Sequence, residues 1–97
     1  MAGRRVVYTE DAEADLAAIW DHIAEDNIAA ADRVIDRLRT AGSSLATMPR
    51  MGKARPELRR DCRSFPVGHI VIFYRELKDA VEILHIYHGA RDIESLF

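Results

Sequence analysis

Two apolar runs near the end of the chain constrain its fold more than any other feature. Residues 70–75 and 81–87 consist mostly of Ile, Val, Leu, Phe and Tyr, and a short turn at residues 77–79 separates them. Two such runs joined by so few residues predict an antiparallel β-hairpin. Apolar side chains occupy both faces of each run, so both faces of the hairpin need a covering layer or a partner.

The first half of the chain carries two apolar stripes with helical spacing. Thr9, followed by Glu10 and Asp11, has the composition of a helix N-terminus. Asn27 interrupts the first stripe and is predicted to cap a second helix, which continues to an exit at Pro49. The first stripe consists of Ala12, Leu16, Ile19, Trp20 and Ile23, and the second of Ile28, Ala31, Val34, Ile35, Leu38, Ala41 and Leu45. The short connection between the stripes predicts an antiparallel helical hairpin.

Three other segments complete the predicted layout. Residues 5–8 are predicted to form a short strand, residues 49–56 a loop, and residues 58–67 a strand with a strongly basic face. Residues 92–97 are predicted to form one helical turn. The order is β-α-α-β-β-β, which indicates an α+β fold in a single domain over residues 1–97. In its two layers, the N-terminal strand and the helical hairpin pack on a mainly antiparallel sheet.

Two helices on one side leave the opposite face of such a sheet without a covering layer. Strand alternation places Ile70, Ile72 and Tyr74 on one face of the hairpin and Val71 and Phe73 on the other. We therefore expect bare apolar surface on the second face, a pattern typical of a protein that binds a partner.

The net charge of −2 conceals a strong separation of charge along the chain. Residues 9–27 contain seven acids and no Lys or Arg, whereas residues 50–63 contain six bases and two acids. The acids of the first segment are Glu10, Asp11, Glu13, Asp15, Asp21, Glu25 and Asp26, and the bases of the second are Arg50, Lys53, Arg55, Arg59, Arg60 and Arg63. Separated patches of this kind can orient a charged partner, although they do not identify it.

The composition excludes several classes of site. Cys62 is the only cysteine, so the chain forms no internal disulfide and offers no Cys-based metal set. The four histidines lack the spacing of a metal site, and nothing in the sequence indicates a cofactor. No apolar run approaches the ~20 residues of a membrane span, and the N-terminus lacks the apolar segment of a secretion signal. We therefore expect a cytoplasmic protein without a bound metal or cofactor.

Residues 88–92 read His-Gly-Ala-Arg-Asp, and shorter matches to a known family precede them. These matches are Tyr8, Ala12, Asp15, Leu16, Ile19, Ile23, Ala30, Ala31, Leu45, Pro49, Gly52, Leu58, Arg59, Tyr74, Arg75, Ile86 and Tyr87. In this order and spacing, the residues resemble the RelE/ParE superfamily of toxins from bacterial type II toxin–antitoxin modules. The resemblance covers nearly the whole chain. It implies a compact toxin held inactive by an antitoxin that is encoded beside it and whose C-terminal region wraps the toxin.

The resemblance further implies two alternative targets. RelE-like members cleave messenger RNA on the ribosome, whereas ParE-like members inhibit DNA gyrase. Cleavage of RNA without a metal requires a base, an acid and cations around one phosphate, and the candidates here are His88, Arg91 and Arg75. However, Lys53 is the only lysine of the basic segment, and Tyr87 directly precedes His88 on a predicted strand, so those two side chains diverge. These departures favour ParE-like inhibition of gyrase by binding over enzymatic activity.

Two other interpretations stay open. The protein can be a ribosome-dependent, metal-independent endoribonuclease that resembles RelE. It can also be an inactive homologue that only binds its antitoxin and helps to repress their operon, reaching operator DNA through the antitoxin alone.

Two sets of residues are assigned to the partners that this resemblance implies, the first because it is basic and the second because it is apolar and two helices cover only one face of the sheet. Contact with the target, either gyrase or the ribosome and its mRNA, is predicted for Arg59, Arg60 and Arg63. Contact with the antitoxin in a hetero-oligomeric complex is predicted for Phe73, Leu84, Ile86, Leu96 and Phe97. A structural role is the alternative for the charged residues, since surface arginines commonly pair with acids and His88 can bond the backbone.

Overall fold

The computed structural model describes residues 4–88, in which five strands form one sheet and two helices lie on one of its faces. The elements in chain order are β1 (Arg5–Tyr8), α1 (Glu10–Ala24), α2 (Ile28–Thr47), β2 (Lys53–Ala54), β3 (Cys62–Val67), β4 (Ile70–Glu76) and β5 (Ala80–His88). The strand order is β1-β5-β4-β3-β2, with β1 parallel to β5 and the other neighbouring pairs antiparallel. The predicted two-layer α+β fold is confirmed, with β2 as an additional strand. The helical turn predicted at residues 92–97 lies outside the described residues.

Side-chain caps fix both helix starts at the positions that the sequence predicts. Thr9 precedes α1, and its Oγ1 accepts a hydrogen bond from the Ala12 N–H at 3.0 Å. Asn27 precedes α2, and its Oδ1 accepts a hydrogen bond from the Ala30 N–H at 2.9 Å. Each cap satisfies a backbone donor that has no partner within its helix. The Thr9 hydroxyl also donates to the Leu84 carbonyl at 2.9 Å, which ties the start of α1 to β5.

Thr9→Ala is expected to lower the free energy of unfolding by about 1–2 kcal/mol, because it removes a helix cap and a hydrogen bond to β5. Urea denaturation of the purified variant measures this loss. Asn27→Ala removes only a cap, so this matched control should cost less, about 1 kcal/mol. Equal losses in the two variants would contradict a role of Thr9 beyond capping.

The basic segment departs from the prediction of a strand over residues 58–67. Residues 55–61, which we call the basic turn, instead form successive turns, and the Cys62 N–H donates to the Arg59 carbonyl at 3.0 Å. β3 therefore begins only at Cys62. β2, inside the predicted loop, pairs with β3 at the edge of the sheet. As a result, Arg59 and Arg60 lie in a turn and not on a strand.

The main core lies between the helices and the sheet, and its buried side chains come from both layers. These residues are Ala12, Leu16, Leu38, Leu45, Ala46, Ile70, Ile72, Tyr74, Val81, Ile83 and Ile86. Removing the Leu, Ile and Val side chains among them from water contributes about 1.5–3 kcal/mol each, which holds the helices on this face. Tyr74 is the polar member, and its hydroxyl donates to the Pro49 carbonyl at 2.8 Å and accepts from the Gly52 N–H at 2.9 Å. Neither α1 nor α2 combines the length and the apolar character of a membrane span.

The opposite face of the sheet carries a second, smaller core, so the expectation of bare apolar surface there is wrong. Phe73 and Leu84 are 0% and 5% exposed, and Cys62 is buried beside them. Leu58 of the basic turn packs against this cluster. The basic turn therefore helps to cover a face that helices do not reach. Burial also raises the pKa of the Cys62 thiol, which disfavours a reactive thiolate.

Candidate functional site

The strand register places two of the predicted catalytic residues at opposite ends of the sheet. His88, at the end of β5, pairs with Ile70, whereas Arg75 pairs with Glu82 near the start of β5. The five residue steps between Ile70 and Arg75 correspond to about 17 Å along β4. Arg91, the third candidate, lies outside the described residues. The structure therefore does not bring His88 and Arg75 together.

Arg75 is held in a network of ion pairs. Its Nε donates to Glu82 Oε1 at 2.7 Å across the β4–β5 pair, and its Nη1 lies 3.4 Å from Asp61 Oδ2 of the basic turn. The hydrogen bond with Glu82 raises the pKa of the Arg75 guanidinium above its ordinary value. These contacts fasten the basic turn to the sheet, and they engage the Nε and Nη1 donors of Arg75, which a phosphate would otherwise bind.

The three arginines predicted to contact a target do not share one face. Arg59 lies in the basic turn with its Nε 3.8 Å from Asp61 Oδ1. Arg60 is exposed in the same turn and forms no ion pair with any residue between positions 4 and 88. Arg63 is half-buried on β3, and its Nη1 donates to the Gly52 carbonyl at 2.8 Å. Arg59 and Arg60 are thus presented to solvent, whereas Arg63 supports the loop before β2.

Three of the residues predicted to bind an antitoxin lie in the protein's own cores. Phe73 and Leu84 belong to the smaller core, and Ile86, at 2% exposure, belongs to the main core. Leu96 and Phe97 lie outside the described residues. Contact of these five residues with an antitoxin stays a prediction, and the described part of the chain presents other surface to a partner.

A groove of about 730 Å³ lies between α1, the start of α2 and the end of β5, and we call it the α1–β5 groove. Its apolar lining comes from Ala18, Ile19, Ile23, Ala30 and Ile86. Its polar lining comes from Asp15, His22, Asp26, Asn27, Tyr87 and His88, with no Lys or Arg among the described residues that line it. The volume falls within the ~300–1,000 Å³ of typical ligand sites. The groove is therefore partly apolar, acidic and large enough for a segment of a partner.

The groove forms where β5 extends beyond its neighbour β1. β1 ends at Tyr8, opposite Ile83, whereas β5 continues to His88. A β-bulge begins this overhang, because Leu84 has no partner on β4 while the residues on both sides of it do. Beyond the bulge, α1 rather than a strand lies beside β5.

Asp15 of α1 takes the place of a neighbouring strand at the overhang. Its Oδ2 accepts a hydrogen bond from the Ile86 N–H at 2.9 Å and lies 3.5 Å from His85 Nδ1. The side chains of Asp15 and His85 are only 19% and 17% exposed, and the His85 ring stacks on Tyr87 with 5.8 Å between the centroids. This role of Asp15 was not predicted. Its signal in the sequence is a carboxylate in the middle of the apolar stripe of α1.

His85, rather than His88, therefore has a carboxylate beside its imidazole. A carboxylate beside an imidazole is an arrangement that orients histidines in proton transfer. Among residues 4–88, no three His, Cys, Asp or Glu side chains are arranged to hold a metal ion. The described site can thus bind a partner through the groove and can orient one imidazole.

Comparisons with known proteins agree with the fold and with the residue pattern. A sequence model of the family described as "ParE toxin of type II toxin-antitoxin system, parDE" matches residues 6–93. Because this match spans most of the chain, the protein belongs to the ParE toxin family of type II toxin–antitoxin systems. The resemblance to the RelE/ParE superfamily is thereby confirmed.

Individual relatives carry the names of both branches of the superfamily. Toxin RelE2 of Caulobacter vibrioides is 39% identical over 87 residues, which cover 90% of this chain and 97% of that protein. Toxin ParE3 of the same organism is 29% identical over 90 residues, which cover 92% of this chain and 90% of that protein. The similarity therefore extends over nearly the full length of both relatives.

Two solved structures share the fold. The chromosomal ParDE toxin–antitoxin system from P. aeruginosa aligns with a TM-score of 0.76 and 21% identity, over 90% of this chain and 97% of that chain. The toxin–antitoxin complex RelBE2 from Mycobacterium tuberculosis aligns with a TM-score of 0.70 and 24% identity, over 94% of this chain and 97% of that chain. At these identities the likeness concerns the fold alone.

Proposed function

We propose that this protein is the toxin of a type II toxin–antitoxin module and arrests growth by binding DNA gyrase, without chemistry of its own. The ParE family match and the relative named ParE3 support this assignment. A cognate antitoxin is the proposed neutralising partner, since the two solved structures described above are of toxin–antitoxin systems.

The distance between the candidate base, His88, and the candidate cation, Arg75, is the observation that favours binding over catalysis. Metal-free RNA cleavage requires a proton acceptor, a proton donor and cations that reach one phosphate within hydrogen-bond distance. The positions of His88 and Arg75 differ by about 17 Å along β4, and Arg75 is engaged by Glu82 and Asp61. Binding of a protein target requires no such convergence.

The basic turn is the proposed contact with gyrase. Arg59 and Arg60 are exposed there, and Arg60 has no ion pair among the described residues that would compete with a target. The turn is held in place by the Arg75–Asp61 pair and by the packing of Leu58 on the smaller core. A fixed, cationic surface of this kind suits an acidic patch on a protein partner.

The alternative is a ribosome-dependent mRNA endoribonuclease, and two observations favour it. The relative named RelE2 is 39% identical to this chain over 87 residues. In addition, His85 has the Asp15 carboxylate 3.5 Å from its Nδ1, a setting that suits a proton-transfer residue.

Two assays on the purified protein separate these functions. Supercoiling of relaxed plasmid by gyrase should be inhibited, and messenger RNA on programmed ribosomes should stay intact. Codon-positioned cuts in the message, with full gyrase activity, would overturn the gyrase proposal in favour of the endoribonuclease. Absence of both effects, together with normal growth when the protein is expressed without its antitoxin, would contradict both functions.

Arg60→Glu is expected to raise the protein concentration for half-inhibition of gyrase about tenfold, which corresponds to about 1.4 kcal/mol of binding free energy. Arg33→Glu is the matched control, because it reverses the charge of an exposed arginine on α2, and it should leave inhibition unchanged. Thermal unfolding of both variants verifies that the fold is intact. If the Arg60→Glu variant reaches half-inhibition at the same concentration as the wild type, Arg60 is excluded from the interface.

A further inference from the structure

We infer that the antitoxin enters the α1–β5 groove as an extended, cationic segment that pairs with the overhanging edge of β5 at Ile86 and His88. The inference rests on the proposed partnership with an antitoxin, and it specifies the place and the conformation of binding. Three features of the described chain support it: the direction of the backbone groups of β5, the apolar lining of the groove and its charge.

The backbone of the overhang presents groups that suit strand pairing. Peptide groups along a strand point alternately to its two sides. On the side where β1 ends, the Leu84 carbonyl accepts from Thr9 Oγ1 at 2.9 Å, and the Ile86 N–H donates to Asp15 at 2.9 Å. The next groups on this side are the Ile86 carbonyl and the His88 N–H, which point away from β4 as the Ile86 N–H does. Outside the strand ladders, no backbone hydrogen bond joins either group to another within residues 4–88. An added strand would pair with them and would continue the sheet in line with β1.

The side-chain lining defines the composition of the segment that fits. Ile19 and Ile23 of α1 offer apolar contact, and Asp26 offers a carboxylate at one end of the groove. Of the seven acids in residues 9–27, Asp15 and Asp26 line the groove, and none of the described lining residues is Lys or Arg, so this wall carries a negative potential. A strand with alternating apolar and basic residues places its apolar side chains on the isoleucines and its cations near the acids. An acidic segment would be repelled.

Amide hydrogen exchange tests the pairing, measured by NMR on the free protein and on its complex with the antitoxin encoded beside its gene. Exchange of the His88 amide should slow at least about 100-fold in the complex. The Val6 and Tyr8 amides serve as controls, because they point to the outer edge of β1, away from the groove. This direction follows from strand alternation, since the N–H groups of Arg5 and Thr9 donate to β5 and to the residue before it. Exchange of the Val6 and Tyr8 amides should not change.

Two outcomes of the exchange experiment would overturn the inference. Protection of Val6 and Tyr8 without protection of His88 would mean that the partner adds to the outer edge of β1. Slow exchange of the His88 amide already in the free protein would mean that the chain itself fills the β5 edge.

Filling the groove provides a second test. Ala18→Trp places an indole in the lining, whereas Ala17→Trp, the matched control, places the same group on the neighbouring position of α1 outside the lining. Both alanines are exposed, so neither substitution disturbs the core. The dissociation constant of the antitoxin should rise at least about tenfold for Ala18→Trp and stay within about twofold for Ala17→Trp. Equal affinity of the two variants would contradict entry through the groove.

Charge reversal tests the cationic character of the segment. Asp26→Lys should weaken antitoxin binding about tenfold, and the loss should shrink at high salt because surface charges are screened. Asp36→Lys makes the same change on an exposed position of α2 outside the groove and should have no effect. Unchanged binding by Asp26→Lys would exclude a cationic segment at this end of the groove.

Failure of the inference can be distinguished from failure of the proposed function. If the antitoxin neutralises the wild type and Ala18→Trp equally well, the partnership stands and the groove is not its site. If the antitoxin binds neither protein, the partnership itself fails.

Discussion

Gly52→Ala is expected to lower the free energy of unfolding by at least about 3 kcal/mol, near the upper end for overpacking of a core. An added Cβ would lie 2.8 Å from the Ser64 carbonyl oxygen and 2.8 Å from Tyr74 Cε1, and it would also meet the Tyr74 hydroxyl. The carbonyl belongs to β3 and the Tyr74 ring is 0% exposed, so neither can move without disturbing the sheet. The hydroxyl would also leave its hydrogen bonds with the Gly52 N–H and the Pro49 carbonyl.

Gly68→Ala is the matched control for this prediction. Gly68 has a φ of 62°, and an added Cβ there meets nothing within 4 Å. Only backbone strain then opposes the substitution, at a cost of about 1 kcal/mol. Urea denaturation of both variants measures the difference. A loss for Gly52→Ala no larger than that for Gly68→Ala would contradict the close packing of Gly52 against Tyr74.

The Tyr74 hydroxyl also gives the same region a dependence on pH. Burial raises the pKa of the Tyr74 phenol above its ordinary value. The neutral phenol therefore contributes stability that is fully present below about pH 10 and is lost as the pH rises through the raised folded-state pKa. Compared with Tyr74→Phe, the wild type should lose stability more steeply in this alkaline range. Burial also raises the pKa of Tyr8, but Tyr8 is present in both proteins, so its contribution cancels when their stabilities are compared.

The helical hairpin is predictable from the sequence because its signals are local. Thr9 and Asn27 have short polar side chains that cap a backbone N–H three residues ahead, and the apolar residues that follow repeat at helical spacing. The β4–β5 hairpin follows in the same way from two apolar runs and a turn. The layer arrangement is less local, and it follows from the order of the elements, because a helical hairpin and successive antiparallel strands bury their apolar faces against each other.

β2 and the basic turn depend on contacts between distant residues, and the sequence does not reveal them. Lys53 pairs with Ser64, and the Tyr74 hydroxyl bonds to Pro49 and Gly52, which are 25 and 22 residues away along the chain. A strand of two residues leaves no alternating pattern. The alternation in residues 58–67 therefore predicts a strand that begins at residue 58, whereas β3 begins four residues later, at Cys62.

An apolar side chain signals burial without identifying what buries it. The sequence predicts that Phe73, Leu84 and Ile86 contact an antitoxin, because two helices cover only one face of a sheet. In the structure, the basic turn covers part of the other face, and the bulge at Leu84 redirects the side chains that follow it. The α1–β5 groove is not visible in the sequence either. It exists because β1 ends opposite Ile83, whereas β5 continues for five more residues, to His88. Strand lengths of this kind cannot be compared before the parallel pairing of β1 with β5 is known.

Asp15→Ala is expected to lower the free energy of unfolding by about 2–3 kcal/mol. No other removal of a polar side chain from α1 is expected to cost as much. The substitution leaves the Ile86 N–H, in a residue 2% exposed, without its carboxylate acceptor at 2.9 Å. It also removes the carboxylate 3.5 Å from His85 Nδ1. Since β1 does not reach this part of β5, no strand within residues 4–88 can replace the lost acceptor.

Two matched variants isolate the hydrogen bond from the loss of charge. Asp15→Asn keeps an oxygen that can accept from the Ile86 N–H and should cost only about 1 kcal/mol. Asp21→Ala removes an exposed carboxylate from the same helix and should stay within about 0.5 kcal/mol of the wild type. Urea denaturation gives the three values, and amide exchange of Ile86 should accelerate in Asp15→Ala alone. If Ile86 exchanges equally slowly in all three variants, Asp15 does not close the edge of β5, and the overhang must be held by the packing of α1 instead.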